Sequence, residues 1–206
     1  MKRSKYYKRS SRSTSLKFHH QKDGTHKKKK LKHKKCSSHS KRLRQLRDGA
    51  TYHVTARANR GEMIFDSFWA KELFVITLEK AKLKYKFQFT EFSIMDNHLH
   101  FLIKPAHNTS LSRIMQWILS VFAMRWNKIM GYSGHVWKAR FHSRIIESVE
   151  DYENVVEYIR KNPVKAKLVK KPTHWKYSSA WFRRHRKWCR KRNRGSLLDP
   201  PRLDAA

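Results

Sequence analysis

Residues 88–105, QFTEFSIMDNHLHFLIKP, constrain the fold more than any other part of this 206-residue sequence. Two largely apolar runs flank Asp96-Asn97, a pair of residues that favours a tight turn. The stretch therefore predicts two strands joined as a hairpin, and the strands of a hairpin run antiparallel. We expect an antiparallel sheet at the centre of the fold.

Strand and helix patterns alternate on both sides of this hairpin. Residues 51–60 alternate apolar and polar side chains, which predicts a strand, and residues 135–148 predict another. Residues 110–130 form an amphipathic helical pattern. An earlier helix is predicted over residues 66–87, where apolar side chains lie near helical spacing at Phe68, Leu73, Ile76, Leu78 and Leu83.

Capping residues set the expected ends of the helices. Thr109 or Ser110 is a candidate N-cap for the helix over 110–130, and Gly131 ends it. Ser148 begins a capping-box pattern for a last helix over residues 149–161. The predicted order is β-α-β-β-α-β-α, which favours an α+β fold with an antiparallel sheet and helices packed on one face.

The composition is strongly basic, with 49 Lys and Arg against 15 Asp and Glu and a formal net charge of +34. Such a chain calls for a polyanionic partner, and the aromatic residues among its cations favour nucleic acid over membrane. No apolar run approaches the roughly 20 residues that a bilayer requires. The N-terminus has no apolar leader segment, so we expect an intracellular, cytoplasmic protein.

Charge also divides the chain into segments. Residues 1–47 are a Lys/Arg/His/Ser tail that we expect to be disordered when free, residues 48–182 form one domain, and residues 183–206 are a second basic tail. Cys36 and Cys189 lie far apart with no CxxC spacing, which argues against a zinc finger or a disulfide scaffold.

Four residues of the predicted domain carry the chemistry. His98 and His100 share one face of a strand, where two imidazoles suit a metal ion, although hydrogen-bonded structural histidines are the commoner case. Tyr158 and Asn162 are four apart and share one face of the last helix. Pro163 predicts that Asn162 ends that helix, so a C-cap role is the alternative for Asn162.

The chain from Tyr52 to Ala180 resembles a known family in five segments that occur in the family's order and spacing. These are YHVTARANRG, MDNHLHFLIKP, GHVWKARFHSRIIE, YENVVEYIRKNPVKAKLV and WKYSSA. They resemble the single-tyrosine HUH transposases, and most of all those associated with repetitive extragenic palindromes (REP). The resemblance implies a ferredoxin-like HUH endonuclease domain.

The resemblance also implies roles for particular residues. Tyr158 falls on the nucleophilic tyrosine, and His98, His100 and Asn162 fall on the ligands of a divalent metal, Mg²⁺ or Mn²⁺. The implied reaction is nicking and strand transfer of single-stranded DNA at palindromic or hairpin sites through a 5′-phosphotyrosine intermediate. Candidate DNA-binding residues are His53, Arg57, Arg60, Arg140, Arg160, Lys161 and Lys165.

One departure and several alternatives accompany this interpretation. Many relatives have histidine where this chain has Arg160. A basic DNA- or RNA-binding module, or a domesticated relative that binds hairpin DNA without cleaving it, would share the composition. Replication-initiation and relaxase proteins use the same site chemistry, but the short chain favours a transposase. The resemblance favours a monomer over a homodimer and an association with the nucleoid.

Overall fold

The computed structural model describes residues 46–185. Nearly all of the two predicted basic tails therefore lies outside the described residues, as do Cys36, Cys189 and Trp188, the tail residue that the sequence favours for stacking on a base. None of the helices within 46–185 is long and apolar enough to cross a membrane.

Four antiparallel strands form one sheet, with bounds Tyr52–Arg57 (β1), Phe87–Ile94 (β2), His98–Pro105 (β3) and His142–Ile145 (β4). Their order across the sheet is β2-β3-β1-β4. The helices are Phe68–Lys84 (α1), Leu111–Met130 (α2), Val149–Lys165 (α3) and Ser179–Arg184 (α4), with short 3-10 turns at Asn59–Gly61 and Pro172–His174. The predicted hairpin is β2-β3, and the α+β class with an antiparallel sheet is confirmed.

Alternation along the strands gives the sheet two chemically different faces. On the core face, Val54 of β1 pairs with Phe101 of β3, and both are fully buried in the main apolar cluster with α1 and α2. On the opposite face, which we call the α3 face, Thr55 pairs with His100 and Arg57 pairs with His98. One strand therefore contributes both to the core and to a polar surface.

The expected packing of all helices on one face of the sheet is wrong for α3. Leu102 alternates with Phe101, so it lies on the α3 face, where it forms a small cluster with Val155 and Ile159. This second, smaller apolar patch is what α3 covers. The sequence of β3 did not predict this patch, because Leu102 is the one large apolar side chain that β3 places on the α3 face.

Helix α1 buries only part of the apolar stripe predicted for it. Phe68 and Leu83 are 61% and 90% exposed, and Ile76 is also exposed. Of the predicted residues, Leu78 is fully buried and Leu73 packs partly buried against the core. The rest of the buried face is formed by Ala70, Phe74, Val75 and Ala81, which fit against the aromatic cluster on the sheet.

The predicted caps are present, but α3 extends further than expected. The Ser110 Oγ accepts a hydrogen bond from the Arg113 N–H, and Gly131 ends α2 with φ of 66°. In α3, which is capped by Ser148, the helix continues through Pro163 to Lys165 instead of ending at Asn162. Pro163 has no N–H, so the helix lacks the backbone hydrogen bond that this position would otherwise donate. The next bond in the helix is present: the Asn162 carbonyl accepts from the Ala166 N–H at 2.9 Å.

Replacing Phe74 by alanine should destabilise the protein by about 3–5 kcal/mol, because this fully buried ring packs between several other aromatic rings. The matched control is Leu83→Ala on the same helix, which should change the free energy of unfolding by less than about 0.5 kcal/mol. Urea unfolding followed by circular dichroism measures both. Equal losses of stability in the two variants would mean that Phe74 is not on the buried face of α1, or that Leu83 is not on its exposed face.

Candidate active site

The two histidines of β3 lie side by side on the α3 face. Strand alternation places His98 and His100 on this face, with their ring centroids 4.9 Å apart and nearly perpendicular. His100 is buried, whereas His98 is partly exposed. Their neighbour on β1 is His53, whose ring stacks on that of His100 with centroids 5.5 Å apart. Three imidazoles therefore line one patch of the sheet.

Helix α3 brings Tyr158 over this patch. The phenol ring meets His100 edge to face at 5.4 Å between centroids, and it lies 6.1 Å from the ring of His53. Tyr158 is 42% exposed, so a bound molecule can reach it. The Lys165 Nζ, two turns further along α3, lies 5.5 Å from the centre of the phenol ring. The sequence-predicted tyrosine and histidines are thus adjacent.

Hydrogen bonds fix the orientation of the two β3 imidazoles. The Asn97 Oδ1 accepts from the Nδ1 of His98 at 2.7 Å, which leaves the lone pair of that histidine on Nε2. The Nδ1 of His100 lies 3.3 Å from the Nε2 of His53. The Nε2 of His100 is buried and has no hydrogen-bond partner within the described part of the chain. The arrangement is typical of metal-binding histidines, whose other ring nitrogen is held by a second group.

Burial keeps these imidazoles neutral. Loss of hydration, with the Arg144 charge nearby, lowers the pKa of His53 to about 4. Burial and the adjacent His98 lower the pKa of His100 to about 3, and burial also lowers the pKa of His98. Neutral imidazoles retain the lone pairs that metal coordination needs at neutral pH.

Asn162 supplies a further polar group on the same helix, one turn after Tyr158. Its Nδ2 is buried and lacks a hydrogen-bond partner among the described residues. A half-turn of the carboxamide exchanges Nδ2 and Oδ1, so an oxygen ligand can occupy that position. Within residues 46–185 no three His, Cys, Asp or Glu side chains form a metal-binding group. The unpartnered nitrogen of His100 and the Asn162 carboxamide are nonetheless of the chemical types that ligate divalent metals.

Two ion pairs tie α3 to the edge strands of the sheet. Near the start of the helix, the Asp151 carboxylate accepts one hydrogen bond from each terminal nitrogen of Arg144, a residue of β4, at 2.7 and 2.8 Å. Further along, the Arg160 Nε donates to Glu91 of β2 at 3.1 Å. Glu91 was not among the functional residues predicted from the sequence. Its signal was the spacing FxFxEFxI in β2, where the apolar positions change phase at the glutamate.

The family model described as "Transposase IS200 like" matches residues 47–162, more than half of the chain. The matched range contains the whole sheet and extends to Asn162 on α3. The chain belongs to the IS200-like transposase family. No curated protein sequence matches it.

Two solved structures are similar to this IS200-like transposase. A REP-associated tyrosine transposase bound to a REP hairpin is 22% identical, with a TM-score of 0.59, over 81% of this chain and 92% of that one. A candidate transposase from Deinococcus radiodurans is 13% identical, with a TM-score of 0.42, over 59% of this chain and 96% of that one. The first likeness supports the α+β fold of the IS200-like domain.

The residues predicted to bind DNA lie in different environments of this IS200-like transposase. Arg57 is exposed on the α3 face opposite His98, and Arg60 lies in a 3-10 turn with φ of 50°. Arg140 lines a separate groove of about 750 Å³ between α2 and residues 134–141.

The three cations of α3 differ in their partners. Arg160 is engaged by Glu91, and Lys161 pairs with the exposed Glu157 one turn earlier. Lys165 contacts the Tyr158 ring. Of these three, Lys165 is therefore the cation next to the phenol, while His53 contacts His100 instead of facing outward.

The buried imidazoles should make this IS200-like transposase less stable in acid. The unfolded chain binds protons on histidine near pH 6.5, whereas folded His53 and His100 do so only near about 4 and about 3. The free energy of unfolding should therefore decrease as the pH falls from about 6.5 toward about 4. Urea unfolding in EDTA between pH 7.5 and pH 4.5 measures this dependence.

The His53→Gln/His100→Gln double variant provides the control for this measurement. Its stability should decrease less steeply over the same pH range because two of the late-titrating groups are gone. An unchanged slope would show that these imidazoles do not cause the acid sensitivity.

Proposed function

We propose that this protein nicks single-stranded DNA and transfers the strand through a covalent 5′-phosphotyrosine, in a reaction that depends on a divalent metal. The observation that supports this most directly is the placement of Tyr158 against His100. An exposed phenol lies edge-on to a buried, neutral imidazole that has an unpartnered ring nitrogen. A protein that only binds nucleic acid has no need for this combination.

Tyr158 acts as the nucleophile. Its phenolate oxygen attacks the scissile phosphorus, a P–O bond to tyrosine forms, and the bond from phosphorus to the 3′-oxygen breaks. The 3′-oxygen leaves with the electron pair and takes up a proton to become a free 3′-hydroxyl. Attack by another 3′-hydroxyl on the phosphotyrosine reverses the process on a new strand and releases the phenol. No external energy source is required because the phosphotyrosine ester retains the free energy of the phosphodiester bond that was broken.

The surrounding side chains prepare this step. The Lys165 ammonium, 5.5 Å from the phenol ring, stabilises negative charge on the tyrosine side. The Nε2 atoms of His98 and His100 and the Asn162 amide oxygen would hold Mg²⁺ or Mn²⁺, which when bound polarises the phosphate and stabilises the leaving oxygen. His53 orients the ring of His100 by contacting the Nδ1 atom of His100, and Asn97 orients the ring of His98 in the same way.

The substrate proposed is single-stranded DNA beside a hairpin. The similar REP-associated transposase was solved with a REP hairpin bound, and the +34 charge of this chain suits a DNA partner. Arg57 and Arg60 lie toward the same end of the sheet as His98 and are positioned to contact phosphates. We propose that the protein acts as a monomer on DNA in the cytoplasm, in association with the nucleoid.

A covalent-adduct assay tests the nucleophile and the metal together. Wild-type protein is incubated with labelled single-stranded DNAs that carry a hairpin, in Mg²⁺, Mn²⁺ or EDTA. We expect a denaturant-resistant protein–DNA band that requires metal and is lost in Tyr158→Phe and in His100→Ala. Tyr152→Phe is the matched control, because Tyr152 packs against the apolar patch beneath α3 instead of the histidines.

The outcomes of that assay separate the alternatives. A band that persists in Tyr158→Phe and disappears in Tyr152→Phe would assign the nucleophile to Tyr152. A band that forms equally well in EDTA would overturn the metal dependence. Tight hairpin binding without any adduct would favour a domesticated relative that binds and does not cleave.

Arg57→Gln should weaken hairpin binding and reduce its salt dependence by about one charge. Arg57 is exposed beside His98 and forms no ion pair with an acidic residue in the described part of the chain. Lys80→Gln is the matched control, since Lys80 is exposed on α1, across the sheet from α3. Fluorescence anisotropy at several salt concentrations measures both. Equal losses in the two variants would show that only net charge matters.

A further inference from the structure

A bulge in β2 turns a glutamate from the core toward the helix that carries Tyr158. Phe89 pairs with Ile103 on the core face, and strict alternation would place Glu91 on that face as well. The register shifts between Phe89 and Glu91, so Glu91 pairs instead with Leu102 on the α3 face. Bulges that redirect one side chain are common beside active sites.

The redirected carboxylate is buried, with 1% of the residue exposed, and both of its oxygens have partners. The Oε2 accepts from the Arg160 Nε at 3.1 Å and from Arg183 of α4. The Oε1 accepts from the Ser179 hydroxyl, which begins α4. One carboxylate therefore joins β2, α3 and α4.

Polar ties matter for α3 because its apolar contact is small. The helix rests on the cluster around Leu102, Val155 and Ile159, and much of its remaining surface is exposed. Asp151 and Arg160 are nine residues apart, or about 14 Å along a helix. The edge strands β4 and β2 that hold their partners are three strand spacings apart, also about 14 Å. The two ion pairs therefore hold the helix across the full width of the sheet.

We infer that Glu91 is a positioning residue for the proposed strand-transfer reaction: through Arg160 it fixes the turn of α3 that places Tyr158 over His100. Arg160 is two residues after Tyr158, so a shift of its backbone moves the phenol with it. In this inference Arg160 anchors the helix and does not bind DNA. The inference rests on the proposed function for its catalytic consequence, but the anchoring itself is measurable without DNA.

Glu91→Gln and Arg160→Gln test the inference. We expect each variant to bind hairpin DNA within about threefold of wild type and to form the Tyr158 adduct about 10- to 100-fold more slowly under single-turnover conditions. The Glu91→Gln/Arg160→Gln double variant should be no slower than the slower single variant, because each change already removes the pair between Glu91 and Arg160. Glu157→Gln is the matched control. It breaks an exposed ion pair on the same helix and should leave the adduct rate unchanged.

Hydrogen exchange provides the readout that does not depend on chemistry. The peptide containing Tyr158 should exchange faster in Glu91→Gln and Arg160→Gln than in wild type or Glu157→Gln, while peptides of α1 and α2 stay protected. Unchanged exchange in α3, or wild-type adduct rates in folded variants, would overturn the inference. If wild type forms no adduct, the proposed function fails, and exchange alone decides whether Glu91 anchors the helix.

Discussion

The antiparallel pairing of β1 with β3 is the constraint on which the rest of the structure depends. Because side chains alternate across this pair, Val54 and Phe101 enter the aromatic core while His100 and its β1 neighbours face α3. A slip of one residue would exchange the two sets and bury the imidazoles among phenylalanines. The large apolar cluster on one face thus fixes the register that the polar site on the other face requires.

The site combines residues of the sheet with a tyrosine on a helix that is joined to the sheet by ion pairs as well as by apolar contacts. The histidines are carried by two central strands, whereas Tyr158 arrives on α3, which has a small apolar contact and two ion pairs to the edge strands. Such a helix is positioned by a few specific interactions instead of by a continuous core. The bulge at Glu91 is the local irregularity that makes one of those interactions possible.

The electrostatics of the site suit a phosphodiester substrate. Burial keeps His53 and His100 neutral, so they add no positive charge of their own at neutral pH. Of the cations at the patch, Arg144 is paired with Asp151, whereas Arg57 lies beside the β3 histidines and Lys165 lies over the phenol. In the proposed reaction, metal coordination and attraction of the DNA backbone would therefore fall to different residues.

Local features of the sequence were enough to predict the hairpin, the α+β class and the caps of α2 and α3, because turn chemistry and periodicity involve neighbouring residues. Motif spacing likewise carried the resemblance that singles out His98, His100, Tyr158 and Asn162. Tertiary structure alone decided the buried stripe of α1, the opposite face for α3, and the continuation of α3 through Pro163. It also decided that Arg160 meets Glu91. These depend on which distant surfaces fit together, and two stripes or two faces of similar local pattern differ only in that fit.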